Sequence, residues 1–219
     1  MTGDRIKQDM SNPEENDNLD PYAPNDNDFA DLEKALESRF AAFGPASGQG
    51  PGVTEPPVIV GNKGVLMAVM AGQKALLETM LKKGSRGNSR FEDGWTALMI
   101  AAFDGHTGIA ELLMDKGAEL EAKGGNGWTA LMVAAFNRHP DTAETLIARG
   151  ADVNARDNDG KTVLMWAADK GFEHLAGVLL GKGANPNAKS NKEATALSYA
   201  VRGDHAAVID LLKKSGAKE

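Results

Sequence analysis

The chain has 219 residues, with 24 Lys and Arg against 31 Asp and Glu, a formal net charge of −7 and no cysteine. The lack of cysteine excludes disulfides, a thiol nucleophile and cysteine-ligated metal sites. No apolar run approaches the roughly 20 residues that cross a bilayer, and the acidic first 30 residues do not resemble a secretory signal. We therefore expect a cytoplasmic protein, with a periplasmic location as the alternative if a leader has been removed.

The negative charge is concentrated at the start of the chain. Residues 1–57 hold twelve acidic and four basic residues and seven of the nine prolines, whereas the remainder is nearly neutral. Residues 1–26 cannot bury enough apolar surface to offset chain entropy, so we predict that they are disordered. Residues 44–57 are rich in Gly and Pro, which is typical of a linker.

One amphipathic pattern lies between these two segments. Phe and Leu residues recur at helical spacing from Phe29 to Phe43, which predicts a helix over about 27–43. A single helix of this length is marginal in water, so its apolar stripe needs a partner. The sequence leaves open whether this helix caps the first unit of the following domain or covers the binding groove of that domain.

From residue 58 onward the sequence repeats with a period of 33 residues. The clearest marker is a threonine that begins each strong copy: Thr96, Thr129, Thr162 and Thr195. Leucine follows two residues later and alanine five residues later in all four copies, and a weaker copy precedes them. The pattern predicts five units, at about 58–90, 91–123, 124–156, 157–189 and 190–219.

The repeated motif closely resembles that of the ankyrin-repeat family. The segments GWTALMIAA from Gly94, GWTALMVAA from Gly127 and GKTVLMWAA from Gly160 match the family's turn and first helix. The resemblance implies an all-α solenoid of five stacked helix-turn-helix repeats with short hairpin fingers over 58–219, preceded by the acidic arm 1–57. The first and last copies depart from the motif, with Lys63 in place of Thr and Glu193 in place of Gly, as expected of terminal repeats.

Local chemistry gives each unit its boundaries. Threonine at the start of the first helix provides an N-cap hydroxyl, and a glycine such as Gly117 after the second helix suits a left-handed C-cap. Met99, Met132 and Met165 occupy the family's structural histidine position. We interpret them as core residues that fill irregular space rather than as a soft-metal site.

No catalytic motif is present in the sequence. Gly160-Lys161-Thr162 lacks the earlier glycine of a phosphate-binding loop, and residues 157–160 (DNDG) begin no calcium loop because its last carboxylate is missing. We interpret both as turns, and His106, His139 and His205 as structural. We predict a non-enzymatic protein with no cofactor, no metal, no small-molecule substrate, no membrane partner and, without a basic stripe, no nucleic-acid partner.

The variable surface positions of the family predict the partner-binding site. The resemblance implies that a partner docks on the concave face, which is made of fingers and inner helices. The positions after the turn glycine and after the alanine pair carry the predicted partner-binding residues: Trp95, Phe103, Asp104, Trp128, Phe136, Asn137, Lys161, Asp169, Lys170 and Arg202. We expect the two Trp and two Phe rings among them to be exposed in one patch, because exposed aromatic patches are typical of binding hot spots.

Two alternatives compete with partner docking for these rings. They can stack on one another from repeat to repeat, or the helix predicted over 27–43 can cover them. Trp166 and Tyr199 occupy an inner-helix position and are expected in the core. The sequence thus predicts a module that binds a partner protein. Inhibition of that partner, for example of an enzyme that the chain regulates, is one form of this prediction. The alternatives are a scaffold or adaptor with several partners, or an enzyme whose site is not visible as a motif.

Overall fold

The computed structural model describes residues 62–84, 87–90 and 94–218. These residues belong to one compact unit that spans 55–219. The predictions for the acidic arm (disorder over 1–26, a helix over 27–43 and a linker over 44–57) lie outside the described residues.

Five helix pairs follow one another in the described part of the chain. The first helix of each pair is called inner and the second outer. The pairs are Asn62–Met70 (α1) and Lys74–Lys82 (α2), Ala97–Phe103 (α3) and Thr107–Asp115 (α4), Ala130–Phe136 (α5) and Pro140–Ala148 (α6), Val163–Asp169 (α7) and Glu173–Gly181 (α8), and Ala196–Arg202 (α9) and Ala206–Lys214 (α10). The described residues contain two isolated β-bridges, Arg90 with Thr96 and Arg156 with Thr162, and no β-strand. The predicted all-α solenoid is confirmed.

Threonine begins four of the five inner helices. The Oγ1 atoms of Thr96, Thr129 and Thr162 accept hydrogen bonds from the backbone N–H three residues later, at 3.2, 3.5 and 3.4 Å. Thr195 and Ser198 form a reciprocal capping box at the start of α9. Each such cap satisfies a backbone donor that the helix leaves open and is worth about 1 kcal/mol. The predicted N-caps are confirmed.

Glycine ends the outer helices, and α4 shows why. Gly117 has a left-handed φ of 78°, a conformation that costs a residue with a Cβ about 1 kcal/mol or more. Its N–H donates to the carbonyl of Met114 and the N–H of Ala118 donates to the carbonyl of Leu113, both at 2.9 Å. This pair of bonds closes the last open carbonyls of the helix, so the predicted left-handed cap is confirmed.

The inner helices form the centre of the stack. Each packs on the inner helix of the next repeat as well as on the outer helix of its own repeat. Met99, Met132 and Met165 are completely buried among them, which confirms their assignment to the core. Since no repeat can enclose its own apolar face, stacking supplies the burial.

Histidine joins neighbouring repeats at the turn between the inner and outer helices. Nε2 of His139 lies 2.9 Å from the carbonyl oxygen of Phe103, and Nε2 of His205 lies 2.9 Å from that of Asp169. A carbonyl oxygen only accepts, so Nε2 carries the donated proton in each case. The predicted structural role of these two histidines is confirmed.

Asparagine joins neighbouring repeats a second time, in the segment after the outer helix. The side chain of Asn154 donates to the carbonyl of Gly183 at 3.1 Å and accepts from the N–H of Asn185 at 2.8 Å. Asn88 and Asn187 make the same pair of bonds with the repeats that follow them. The amide suits this role because it carries both a donor and an acceptor.

Candidate functional site

The predicted partner-binding residues lie at the two ends of the inner helices. Three of them directly precede the capping threonines, at the ends of the fingers that lead to α3, α5 and α7: Trp95, Trp128 and Lys161. The others are the last residue of an inner helix or the residue that follows it: Phe103, Asp104, Phe136, Asn137, Asp169, Lys170 and Arg202. An inner helix of seven residues is only about 10 Å long, so long side chains from its two ends can meet.

The predicted exposure of the two tryptophans is wrong. Trp95 is 8% exposed, Trp128 is 3% exposed, and Lys161, at the same position of the next repeat, is 5% exposed. Phe103 and Phe136 are half-buried. The physical reason is that the indoles lie along the short inner helices and pack against the phenylalanine at the far end, with ring centroids of Trp95 and Phe103 6.0 Å apart.

Three rings from two adjacent repeats form a contiguous aromatic cluster, made of Trp128, Phe136 and Trp166. Ring centroids are 5.2 Å apart for Trp128 and Phe136, 5.1 Å for Trp128 and Trp166, and 5.5 Å for Phe136 and Trp166. Such tilted and edge-to-face pairs add about 0.5–1.5 kcal/mol each beyond the burial of area. For this cluster the stacking alternative describes the rings better than an exposed patch does. Trp166 is buried as predicted, but its part in the cluster was not predicted.

Two lysines of the fourth repeat lie over aromatic rings. Nζ of Lys170 is 5.1 Å from the ring centroid of Phe136. Nζ of Lys161 is 4.4 Å from that of Trp166 and 5.3 Å from that of Tyr199. These cation–π contacts are worth about 0.5–2 kcal/mol, more where water is excluded. They bring the two ammonium groups into contact with aromatic rings of their own and neighbouring repeats.

Arg202 is held by two contacts in the last repeat. Its guanidinium carbon is 5.0 Å from the ring centroid of Tyr199, and Nη2 donates to Oδ1 of Asp169 at 2.6 Å. Asp169 belongs to the preceding repeat. The predicted site residues Asp169 and Arg202 are therefore brought together as an ion pair across the last junction.

Asp157, in the finger before α7, forms a hydrogen bond with one ring of the aromatic cluster. Its Oδ1 accepts from the N–H groups of Asp159 and Lys161 at 3.0 and 2.8 Å, and its Oδ2 accepts from Nε1 of Trp166 at 3.2 Å. Burial raises the pKa of this carboxyl, and the hydrogen bonds that it accepts oppose the rise. Oδ1 is used inside the turn and Oδ2 joins the turn to α7, in agreement with the interpretation of residues 157–160 as a turn.

Seven of the predicted residues remain at least partly accessible, and together they define the inner-helix face. Asp104, Lys170 and Arg202 are exposed, whereas the other members are half-buried: Phe103, Phe136, Asn137 and Asp169. The face offers two partly accessible rings and charges of both signs. Within 62–84, 87–90 and 94–218, no three His, Asp or Glu side chains converge to hold a metal.

The repeat region matches a known protein family. A family model described as ankyrin repeats (3 copies) matches residues 65–157 and 149–219, which together are more than half of the chain. No curated protein matches the chain significantly. Among the described helices, none is long and apolar enough to cross a membrane.

Proposed function

Because the chain belongs to the ankyrin-repeat family, we propose that it binds another protein through its inner-helix face. Ankyrin repeats are generally protein–protein interaction modules, and the proteins that contain them are typically non-enzymatic. The family thus supports a protein partner, and the variable positions of the repeats, which lie at the ends of the inner helices, support the choice of this face. The inner-helix face contains seven of the ten residues selected on that basis.

The observation that carries this proposal is the setting of Phe136. Its ring is half-buried, held from inside by Trp128 and Trp166 and overlain by Lys170. A partly accessible ring that is already fixed loses little side-chain entropy when a partner covers it. Rigid aromatic anchors of this kind are typical of binding hot spots.

The charges of the inner-helix face indicate how a complementary partner is oriented along the repeats. Asp104 lies in the second repeat, whereas Lys170 and the ion pair of Arg202 with Asp169 lie in the fourth and fifth and leave a net positive charge there. A partner with an acidic group toward the last repeats and a basic group toward the second is complementary to this order. Exposed charges of this kind affect mainly the rate of association and the choice of partner.

Inhibition of the partner is a proposed consequence of this binding. A protein that covers the inner-helix face across several repeats has a matching part of its own surface covered. If that surface carries an active site or another interface, binding blocks it. An assay of the captured partner's own activity, with and without this chain, tests this consequence separately from binding.

Affinity capture with a matched pair of variants tests the binding proposal. The face variant reverses two exposed charges, Asp104→Lys with Lys170→Glu. The control variant reverses two exposed charges away from the face, Asp210→Lys in α10 with Lys182→Glu directly after α8, so that both variants keep the same net charge. We expect the wild type and the control to retain the same protein and the face variant to lose it. Equal retention by all three would contradict the proposal.

A further inference from the structure

The turn between the inner and outer helices follows a pairing rule at most junctions between repeats. A left-handed glycine in one repeat faces a histidine of the next repeat. A Cβ on Gly105 would lie 2.5 Å from Nδ1 of His139, and a Cβ on Gly171 would lie 2.6 Å from Nδ1 of His205. The histidine therefore requires glycine at the turn in front of it, for reasons of space as well as of φ.

The junction between the third and fourth repeats departs from this rule on both sides. Arg138 stands at the glycine position with a left-handed φ of 62°, and Phe172 stands at the histidine position. A left-handed conformation costs an L-residue with a side chain about 1–2 kcal/mol. Strain of this kind persists where the surroundings hold it, and often at functional sites. The paired replacement marks this junction as different in kind from the others.

The two replacing side chains contact each other. The guanidinium carbon of Arg138 lies 5.2 Å from the ring centroid of Phe172. Arg138 is exposed, and among the described residues its guanidinium has no hydrogen bond or ion pair. The contact with the ring uses none of the guanidinium N–H groups as hydrogen-bond donors, and the fork that they form matches a carboxylate.

A groove of about 370 Å³ lies next to this pair. It is bounded by the end of α5 and by the start of α6 and of α8, with Phe172, Pro140 and Leu175 among its apolar lining and Glu173 as its acidic lining residue. His174 on its rim is already paired with Glu144, at 2.8 Å. Arg138 thus makes no ion pair with a carboxylate among the described residues, although Glu173 also lines the groove, and it lies beside apolar surface.

We propose that this groove is a second docking site, which takes a protein segment with a carboxylate next to an apolar side chain. The carboxylate binds the edge of the Arg138 guanidinium, and the apolar side chain covers Phe172, Pro140 and Leu175. The charge and the donor geometry of Arg138 select the anionic group, and the apolar lining selects its neighbour. The groove shares no residue with the inner-helix face, so it supports a second contact in addition to the proposed one.

Small probes test this site without a known partner. N-acetylphenylalanine carries the carboxylate and an apolar ring, and N-acetylphenylalaninamide is its neutral counterpart. Each is titrated into the full ¹⁵N-labelled chain while amide chemical shifts are followed. We expect the acid to shift the signals of residues 138–140 and 172–175 and to bind at least about threefold more tightly than the amide, because a charge-assisted pair is stronger than a neutral one.

A double variant provides the matched control. Arg138→Gly with Phe172→His restores the pairing found at the other junctions, so it is expected to fold, and it should lower the affinity for the acid at least about threefold. Equal binding of acid and amide, absence of shifts at the groove, or unchanged binding by the double variant would each overturn the proposal. The comparison of acid with amide uses the wild type, so it decides the matter even if the double variant unfolds.

Discussion

Nε1 of Trp166 donates a hydrogen bond of 3.2 Å to Oδ2 of Asp157, and this bond ties the finger of the fourth repeat to its inner helix. The same indole packs on Trp128 and Phe136. Asp157 therefore fixes the orientation of the Trp166 ring, against which two rings of the third repeat pack. The inner-helix face depends on this buried carboxylate, although Asp157 itself is not accessible to a partner.

Removal of this carboxylate should destabilise the fold. Asp157→Ala leaves three donors without their acceptor, so we expect the free energy of unfolding to fall by about 3 kcal/mol. Asp159→Ala is the control from the same turn, because its side chain is exposed and its hydrogen bonds to Asp157 and Asn191 come from its backbone; it should cost less than about 0.5 kcal/mol. Urea denaturation measures both, and similar losses for the two variants would contradict the role given to Asp157.

The same residue should make stability depend on pH. Burial raises the pKa of Asp157 above its ordinary value of 3.8, so the folded chain holds this proton more tightly than the unfolded chain does. The contribution of Asp157 to the free energy of unfolding therefore falls as pH rises from about 3.8 through the raised folded pKa, and is constant above it. Asp157→Asn abolishes this titration.

The test is the difference between wild type and Asp157→Asn in urea unfolding across that range of pH. Glu78 and Glu193, whose pKa values are lowered mainly by their hydrogen bonds with Lys82 and Lys189, contribute in the opposite direction. Their contribution is common to both proteins and cancels in the difference. The stability of the wild type relative to the variant should decrease as pH rises. An increase with pH would show that the hydrogen bonds outweigh the burial of this carboxyl.

Two glycines with similar φ should respond differently to alanine. Gly105 and Gly117 have φ values of 67° and 78°, so both substitutions cost about 1 kcal/mol for the left-handed conformation. A Cβ at Gly105 also meets His139 at 2.5 Å, whereas nothing lies within 4 Å of one at Gly117. We expect Gly105→Ala to cost a further 1–3 kcal/mol, about the usual cost of overpacking.

A double-mutant cycle isolates that contact. In a His139→Ala background, Gly105→Ala should cost no more than Gly117→Ala does, because the ring that a Cβ would meet is gone. Thermal and urea unfolding of the four proteins give the coupling energy. A coupling energy near zero would mean that the turn relaxes around the new Cβ, and that the pairing of glycine with histidine has no steric cause.

Trp128→Ala should unfold or strongly weaken the repeats, contrary to what exposure of this ring would imply. Trp128 is 3% exposed and contacts two rings of the aromatic cluster, so its truncation should cost about 3–5 kcal/mol. Lys170→Ala, at an exposed position, should cost less than about 1 kcal/mol. Circular dichroism during urea unfolding measures both. Unchanged stability of Trp128→Ala would contradict the burial of this ring.

Features that repeat every 33 residues were predictable from the sequence. The caps at Thr96 and its equivalents and the left-handed Gly117 depend on local backbone geometry, which one repeat determines by itself. The asparagine bridges could have been found in the same way, because Asn154 and Asn187 are 33 residues apart. The pattern shows the spacing, but only the stack shows which backbone groups the amide reaches.

The burial of the site residues was not predictable from position alone. Trp128 occupies a variable surface position, but Trp166 of the next repeat lies 5.1 Å from it and helps to cover it. Whether a residue at such a position is exposed depends on the size of side chains in neighbouring repeats, which differ from copy to copy. Lys161 illustrates this. Its Nζ lies over the rings of Trp166 and Tyr199, and only the last two repeats have an aromatic residue at that inner-helix position.

Site-specific photo-crosslinking is the most direct test of the inner-helix face as the place where a partner docks. A benzophenone amino acid is placed, one position at a time, at the exposed residues 104 and 170 on the face and at two exposed outer positions, 182 directly after α8 and 210 in α10. The labelled chains are irradiated together with the protein that affinity capture retains. We expect covalent adducts from positions 104 and 170 and none from 182 and 210. Adducts from the outer positions alone would show that the partner docks elsewhere and would contradict the proposed function of this face.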